Sequence, residues 1–431
     1  MIKTLLSTAA LLAASLCPLH AQIWSYEDCV EYARNHNISL QKSRLTEETS
    51  AANLEESKAQ WQPSLDFSTS QGLSNYPWGK GTKTSYNSSY GLNAGWTVWN
   101  GGQRENNIKR DQLQLQIDRM NTANVMRTLE TDLLQVYFNI LYARESIVVC
   151  EEAVKLSEAQ AERARQLMEA GKVSKVDYAQ LKSQYEQDKY ALVNAQGTYD
   201  TRRMELKKLL ELGIDSEIEL ADTRWTDEQI LTALPSMTES YSLALQTDAQ
   251  LKGLNLETEG TAIDVAIARG TNKPTISLNA GVGTSYVSPG NYGKGLKQSF
   301  GENIGLTLAV PIADRKKTSS AVARAKIREI DAQLDIDQRH TELSQLVENW
   351  FIDTRSAQSR FTAAQHQLEA TTLSYELSDE RFRLGLLEPV ELMTAHNDLI
   401  SARMSLLQAK YMAMLGQKMI QFYREAKITL P

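Results

Sequence analysis

The sequence predicts a mainly α-helical protein that also supplies strands to a membrane β-barrel. Its unit is a strand hairpin, a long helix and a shorter returning helix, used twice. Three observations predict this. The chain repeats itself in order: Pro63, Ser64, Leu65, Asp66, Phe67 recurs as Pro274, Thr275, Ile276, Ser277, Leu278. Thr97, Val98, Trp99 recurs as Ala309, Val310, Pro311, and Gly171 with Val176 and Asp177 recurs as Gly385 with Val390 and Glu391. The offsets run 211, 212 and 214, so the two halves stay in step. Residues 104–170 and 314–384 contain neither proline nor glycine. Four other segments alternate apolar and small polar residues with a period of two.

In chain order, residues 1–21 read as a signal peptide. Lys3 precedes an apolar run from Leu5 to Leu16, too short to span a bilayer, and Ala21 offers a small residue for cleavage before Gln22. Cys17 follows Leu16 rather than a small residue, which favours simple cleavage over lipidation. Two cysteines remain, Cys29 and Cys150; no local pattern pairs them, and they read as free, partly buried thiols. No later stretch gives about 20 consecutive apolar residues. The formal charge is −7 and falls by one when Lys3 leaves; this mild acidity argues against a nucleic-acid partner. The first repeat is expected over 22–213, an acidic inter-repeat segment over 214–240, the second repeat over 241–424, and a short tail over 425–431.

Strands are expected at about 63–72, 89–99, 274–287 and 303–312. Tyr90, Leu92, Ala94, Trp96 and Val98 share one face of the second, opposite Gly91, Asn93, Gly95 and Thr97. Ile276, Leu278, Ala280 and Val282 do the same in the third, and Ile304, Leu306, Leu308 and Val310 in the fourth. A soluble sandwich shows such alternation too. Strand length, the aromatics Trp96, Trp99 and Tyr286 near strand ends, and the lack of a second sheet to cover the apolar face favour a membrane barrel. Residues 72–88 and 288–299, with Gly72, Asn75, Pro77, Gly79, Gly81, Pro289, Gly290, Asn291, Gly293 and Gly295, read as exposed loops. Four strands cannot close a barrel with a polar lumen, and lipid does not tolerate an open edge, so several copies must combine.

Each proline- and glycine-free stretch is on the order of 100 Å long as a helix. Leu129, Leu133, Val136, Ile140 and Ile147 form one heptad-like seam, and Leu392, Ala395, Leu399, Ala402 and Leu406 another. The stretches end at Gly171 and Gly385, where a left-handed cap is expected, and return as helices near 174–212 and 389–424, with Pro389 in a first turn.

With these elements in order, the chain resembles the TolC-type outer-membrane efflux family over essentially all of its mature length. The resemblance rests on the duplication, on Tyr32, Ala33 and Asn37 in an opening helix, on Thr97, Val98, Trp99, Asn100, Gly101, Gly102 entering a long helix, and on the two glycine tips. It implies a homotrimer whose chains give four strands each to one twelve-stranded barrel in outer-membrane lipid, above an α-helical periplasmic tunnel. It also implies a periplasmic adaptor (membrane fusion protein) and an inner-membrane transporter as partners. By similarity, Glu391 occupies the position of an acidic residue that rings the tunnel's periplasmic end. The next such acid falls on Thr394, an expected connector arginine on Leu387, and an aromatic near the end of the helix on Phe382. Asp177 matches a polar partner in the first hairpin, where Val176 replaces a hydroxyl residue. Glu391, Asp177, Phe382 and Thr394 are therefore the candidate gate. Gly171, Lys172, Val173, Gly385, Leu386 and Leu387 are the candidate adaptor-docking tips. Against a gating role stands the ordinary preference for acids in a helix's first turn.

Bond-making chemistry has no visible apparatus. His36, His340, His366 and His396 lack ligand-type spacing, no glycine-rich phosphate loop follows a strand, and no cofactor is expected. Met393, Met404, Met412, Met414 and Met419 suggest copper export at first sight, but methionines at helical spacing read as core packing. Two function classes follow: an outer-membrane channel component of a tripartite efflux or secretion system, or a non-transporting periplasmic coiled-coil scaffold or adhesin. The four alternating strands separate them, because a scaffold needs none.

Overall fold

A computed structural model describes residues 22–78, 84–223, 225–288 and 290–430. The leader with Cys17, the loop residues Gly79 and Gly81, Pro289 and the terminal Pro431 lie outside the described residues. Most of the chain is helical. The order is β1 (Gln22–Trp24), α1 (Tyr26–His36), α2 (Ile38–Ala59), β2 (Ser64–Asn75), β3 (Thr84–Trp99), α3 (Gln103–Glu169) and α4 (Lys175–Leu209). After β4 (Ile218–Leu220) and α5 (Asp227–Ile230), the order recurs as α6 (Met237–Thr247), α7 (Ala249–Gly270), β5 (Thr275–Val287), α8 (Tyr292–Gln298), β6 (Gly301–Ala309), α9 (Lys317–Arg383) and α10 (Pro389–Glu425).

The duplication extends to the caps. Ser25 caps α1 through Asp28 N–H, and Ser236, 211 residues on, caps α6 through Glu239 N–H. Helices α3 and α9 are both 67 residues long. Among the described helices, only α3 is long and apolar enough by composition to span a membrane; half of its apolar window is buried, and Leu133, Leu134, Phe138, Ile140 and Leu141 lie in a core.

The chain forms two compact units. One comprises Asn124–Asp248, Thr341–Pro431 and the described part of Met1–Lys42. Its core packs Trp24, Tyr26, Tyr137 and Phe138 with Leu206, Leu210, Met414 and Phe422. The acidic inter-repeat segment contains β4, which pairs in parallel with β1 (Gln22 opposite Ile218, Trp24 opposite Leu220). Ile218 and Leu220 are buried, and Arg144 donates to the Leu220 carbonyl at 3.2 Å and to Asp222 at 3.2 Å. The C-terminal tail is also used: Ile428 is buried in this core, and Leu430 N–H donates to Glu27 at 3.1 Å. Cys29 and Cys150 are free and buried; burial pushes the Cys29 thiol up to about 12.

The other unit comprises Ser43–Ala123 and Ala249–His340. It holds one antiparallel sheet in the order β2-β3-β5-β6. Leu65 faces Ala94, Ala94 faces Ala280 and Ala280 faces Ile304, so one face is apolar across all four strands. Away from the β5–β6 connection this face is exposed: Phe67 is 69 %, Ile304 77 % and Leu306 70 % exposed. Strands β2 and β6 each leave an edge unpaired within the chain. Where β3 leaves the sheet, the buried Arg104 guanidinium lies 3.4 Å over the Trp61 ring and donates to the Thr97 and Val98 carbonyls at 2.6 and 3.1 Å. Trp96 Nε1 donates to the Trp61 carbonyl at 3.0 Å. Helix α2 is pinned to α3 by two serine–aspartate bonds one heptad apart, Ser50 to Asp118 at 2.5 Å and Ser57 to Asp111.

Candidate functional site: the hairpin tips and the seam behind them

Helices α3 and α9 end in the same way. Gly171 has φ +69° and Gly385 φ +73°. Lys172 N–H donates to Leu167 O at 2.9 Å and Gly171 N–H to Met168 O at 3.0 Å. Leu386 N–H donates to Arg381 O at 2.9 Å and Gly385 N–H to Phe382 O at 3.0 Å. Both ends are Schellman caps, which satisfy the last carbonyls through a left-handed residue. No atom stands within 4 Å of the position a Cβ would take at either glycine. Glycine is therefore demanded there by φ, not by crowding.

The return helices differ in one respect that carries chemistry. Asp177 and Glu391 are each the third residue of their helix. Asp177 closes a capping box: its carboxylate accepts from Ser174 N–H at 3.1 Å, and Ser174 Oγ accepts from Asp177 N–H at 3.1 Å. In α10 the N-cap is Glu388, which makes no side-chain cap bond. Glu391 is exposed, and among the described residues its carboxylate has no hydrogen bond or ion pair. Thr394 Oγ1 donates back to Val390 O at 2.9 Å. Phe382 is 3 % exposed and packs with Leu181, Leu392 and Leu399, with Leu387 against the same cluster. Of the four candidate gate residues, only Glu391 thus presents an uncommitted charged group. Around the tips Val176, Leu384, Leu386 and Val390 are exposed apolar residues.

Behind the tips lies a buried polar seam that sequence reading missed. His396 Nε2 donates to Asp188 Oδ2 at 3.0 Å, and His396 is wholly buried. Because an ionised carboxylate only accepts, Nε2 carries the hydrogen and Nδ1 is left buried without a partner. Gln184 Nε2 donates to Asp188 at 2.9 Å and to Asn397 at 3.1 Å. Gln160 Nε2 donates to Tyr375 Oη at 2.8 Å, and the Tyr375 ring lies 6.1 Å from His396. Residues of α3, α4, α9 and α10 therefore meet in one network. Burial pushes the Asp188 carboxyl up, but hydrogen bonds from His396, Ser157 and Gln184 outweigh it and hold the carboxyl below its usual range. The available signal was spacing: Leu181, Gln184 and Asp188 follow steps of three and four, as do Leu392, His396 and Leu399 read in steps of four and three.

A carboxyl with a depressed native pKa stabilises above its unfolded pKa of about 3.9 and loses that contribution as pH falls through the native value. Asp188→Ala is expected to lower stability by about 1–3 kcal/mol at neutral pH, the cost of an unsatisfied buried donor. Thermal unfolding followed by far-UV dichroism checks this, and the gap from wild type should close below about pH 4.

A four-stranded sheet with a largely exposed apolar face, joined to long helical hairpins, fits an outer-membrane channel subunit. Residues 29–211 and 240–414 match the outer membrane efflux protein family, and the chain belongs to that family. It is 21 % identical over 414 residues to the outer membrane efflux protein BepC of Brucella suis biovar 1 (strain 1330), across 95 % of this chain and 87 % of BepC. It is also 21 % identical over 304 residues to the outer membrane protein TolC of Escherichia coli (strain K12), across 68 % of this chain and 60 % of TolC. Among solved structures it is similar to CusC, described for folding and transmembrane channel formation, with a TM-score of 0.80, 19 % identity, and 92 % and 91 % of the two chains covered. The protein is an outer-membrane efflux channel component of tripartite systems, with its helical part in the periplasm.

Proposed function

We propose that three copies of this chain close one twelve-stranded barrel and one helical tunnel, through which substrates pass from a periplasmic adaptor and an inner-membrane transporter to the exterior. The observation that carries this reading is the sheet: four strands, an apolar face exposed to the surroundings, and open edges at β2 and β6. In lipid each unpaired edge group costs several kcal/mol, so β6 of one copy pairs with β2 of the next until the ring closes. The repeats 22–213 and 241–424 each supply a hairpin to the tunnel, with 214–240 linking them and 425–431 as the tail. Gly171, Lys172, Val173, Gly385, Leu386 and Leu387, with the exposed apolar flanks Val176, Leu384 and Val390, meet the adaptor. Glu391 lines the narrow periplasmic end, with Thr394 and Phe382 behind it and Asp177 on the neighbouring hairpin.

Purified in detergent, the protein is expected to run as a stable homotrimer by native mass spectrometry. A monomer that stays soluble without detergent would overturn the barrel.

A further inference from the structure

We propose that the outer end of the sheet carries a collar that binds the phosphate groups of outer-leaflet glycolipid, with Lys294 and Lys297 as the cationic contacts and four tyrosines as the seat. This deepens the preceding reading and rests on the sheet lying in the outer membrane.

The connection between β5 and β6 sits at the end of the sheet away from the start of α3, which is the exterior end. It reads as a loop in sequence, yet it folds as the short helix α8, whose Asn291 side chain accepts from Lys294 N–H at 3.0 Å. Ser88 pairs with Tyr286 and Tyr90 with Thr284 in the same register that pairs Leu92 with Val282, so these residues share the apolar face of the sheet. Helix α8 lies on that face. Thr284 Oγ1 donates to Leu296 O at 2.5 Å, a Cβ on Gly295 would stand 2.6 Å from Tyr286 Cδ2, and Ser88 is left 1 % exposed. The segment is folded outward against the lipid side, not over the polar face that would line the lumen.

Its surroundings suit a headgroup layer. Tyr286 and Tyr292 rings are 4.9 Å apart, Tyr86 lies 6.3 Å from Tyr286, and the Tyr90 and Tyr292 hydroxyls are 3.0 Å apart. Amphipathic rings of this kind settle where hydrocarbon meets polar headgroups. Lys294 and Lys297 are both exposed on this helix. Charge is segregated here. Residues 275–301 contain these two lysines and no Asp or Glu, and 67–92 contain no Asp or Glu either, in a chain whose net charge is −7. The nearest acid on the same face, Glu302, pairs with Val282, four residues inward of Tyr286. A cationic pair beside an aromatic belt complements an anionic leaflet, and each lysine contributes about fivefold in affinity at such a surface.

The test uses the full channel purified in detergent and native mass spectrometry with three probes: diphosphoryl lipid A, its dephosphorylated form, and phosphatidylglycerol. Saturable binding of diphosphoryl lipid A is expected, weakened about thirtyfold in K294Q/K297Q and by removal of the phosphates, and weakening with salt. Equal affinity of wild type and variant overturns the collar. Equal, lysine-dependent binding of phosphatidylglycerol overturns glycolipid as the occupant. Wild type and variant must both fractionate with the outer membrane and run as the same oligomer. If wild type is soluble without detergent, the barrel reading falls; if it is membrane-bound and the lipid arms show no lysine dependence, only the collar falls.

Discussion

Export is expected to be abolished in Gly385→Pro and Gly171→Pro while barrel and oligomer persist. Proline fixes φ near −65°, whereas these glycines sit at φ +73° and +69°. It also removes the N–H that donates to Phe382 O in one cap and to Met168 O in the other. The cap then opens and the tip changes direction. Alanine is the control. It keeps the N–H and meets no neighbour within 4 Å, so it pays only the left-handed backbone cost of about 1–2 kcal/mol. Export assays in a strain lacking the native channel, at matched protein levels, should show alanine variants near wild type and proline variants inactive. Wild-type export from either proline variant would remove the tips from the docking surface.

Glu391→Lys is expected to turn a cation-preferring channel towards anions in planar bilayers. Glu391 is the one gate candidate with an exposed, uncommitted carboxylate. In the proposed trimer three such groups would form a narrow ring that attracts cations while its members repel one another, and low-dielectric walls would strengthen both effects. Glu391→Ala should weaken cation preference and divalent-ion block without reversing selectivity. Asp177→Ala should act on helix α4 instead, because its carboxylate is the acceptor in the capping box; loss of such a cap costs about 0.5–2 kcal/mol. The selectivity effects should shrink between 0.1 M and 1 M salt, as the Debye length falls from about 10 Å to about 3 Å. Unchanged reversal potentials in Glu391→Lys would leave it a helix-terminus acid.

Features that repeat locally were legible in the sequence. The alternation through Leu92, Ala94 and Trp96 gave the strand and its face, because side chains change sides at every residue. The absence of proline and glycine gave the long helices, and Gly171 and Gly385 gave their ends, since few other residues take positive φ cheaply. Features that depend on distant partners were not legible. Asp188 and His396 are 208 residues apart, and neither alone signals a pair. Helix α8 contains Gly293 and Gly295, which read as turn, and it stands because Asn291 caps it and Tyr286 packs on it. Strands β1 and β4 are three residues each, too short for any period to show. In the candidate gate, sequence placed Asp177 and Glu391 at matching positions but could not tell that one carboxylate is bonded and the other free.

A duplicated chain can acquire a new property at one of its two copies. Two copies of a helix start need not both keep the same device. Ser174 retains the hydroxyl that engages its acid, whereas Glu388 at the equivalent place has none to offer. Relieved of its local task, the second acid is left exposed and uncommitted. In the proposed ring of three chains the six tips would alternate between a capped acid and an uncommitted one. A partner gripping all six tips of that proposed ring would meet a threefold pattern, not a sixfold one, and that pattern would set the rotational register in which the two rings lock.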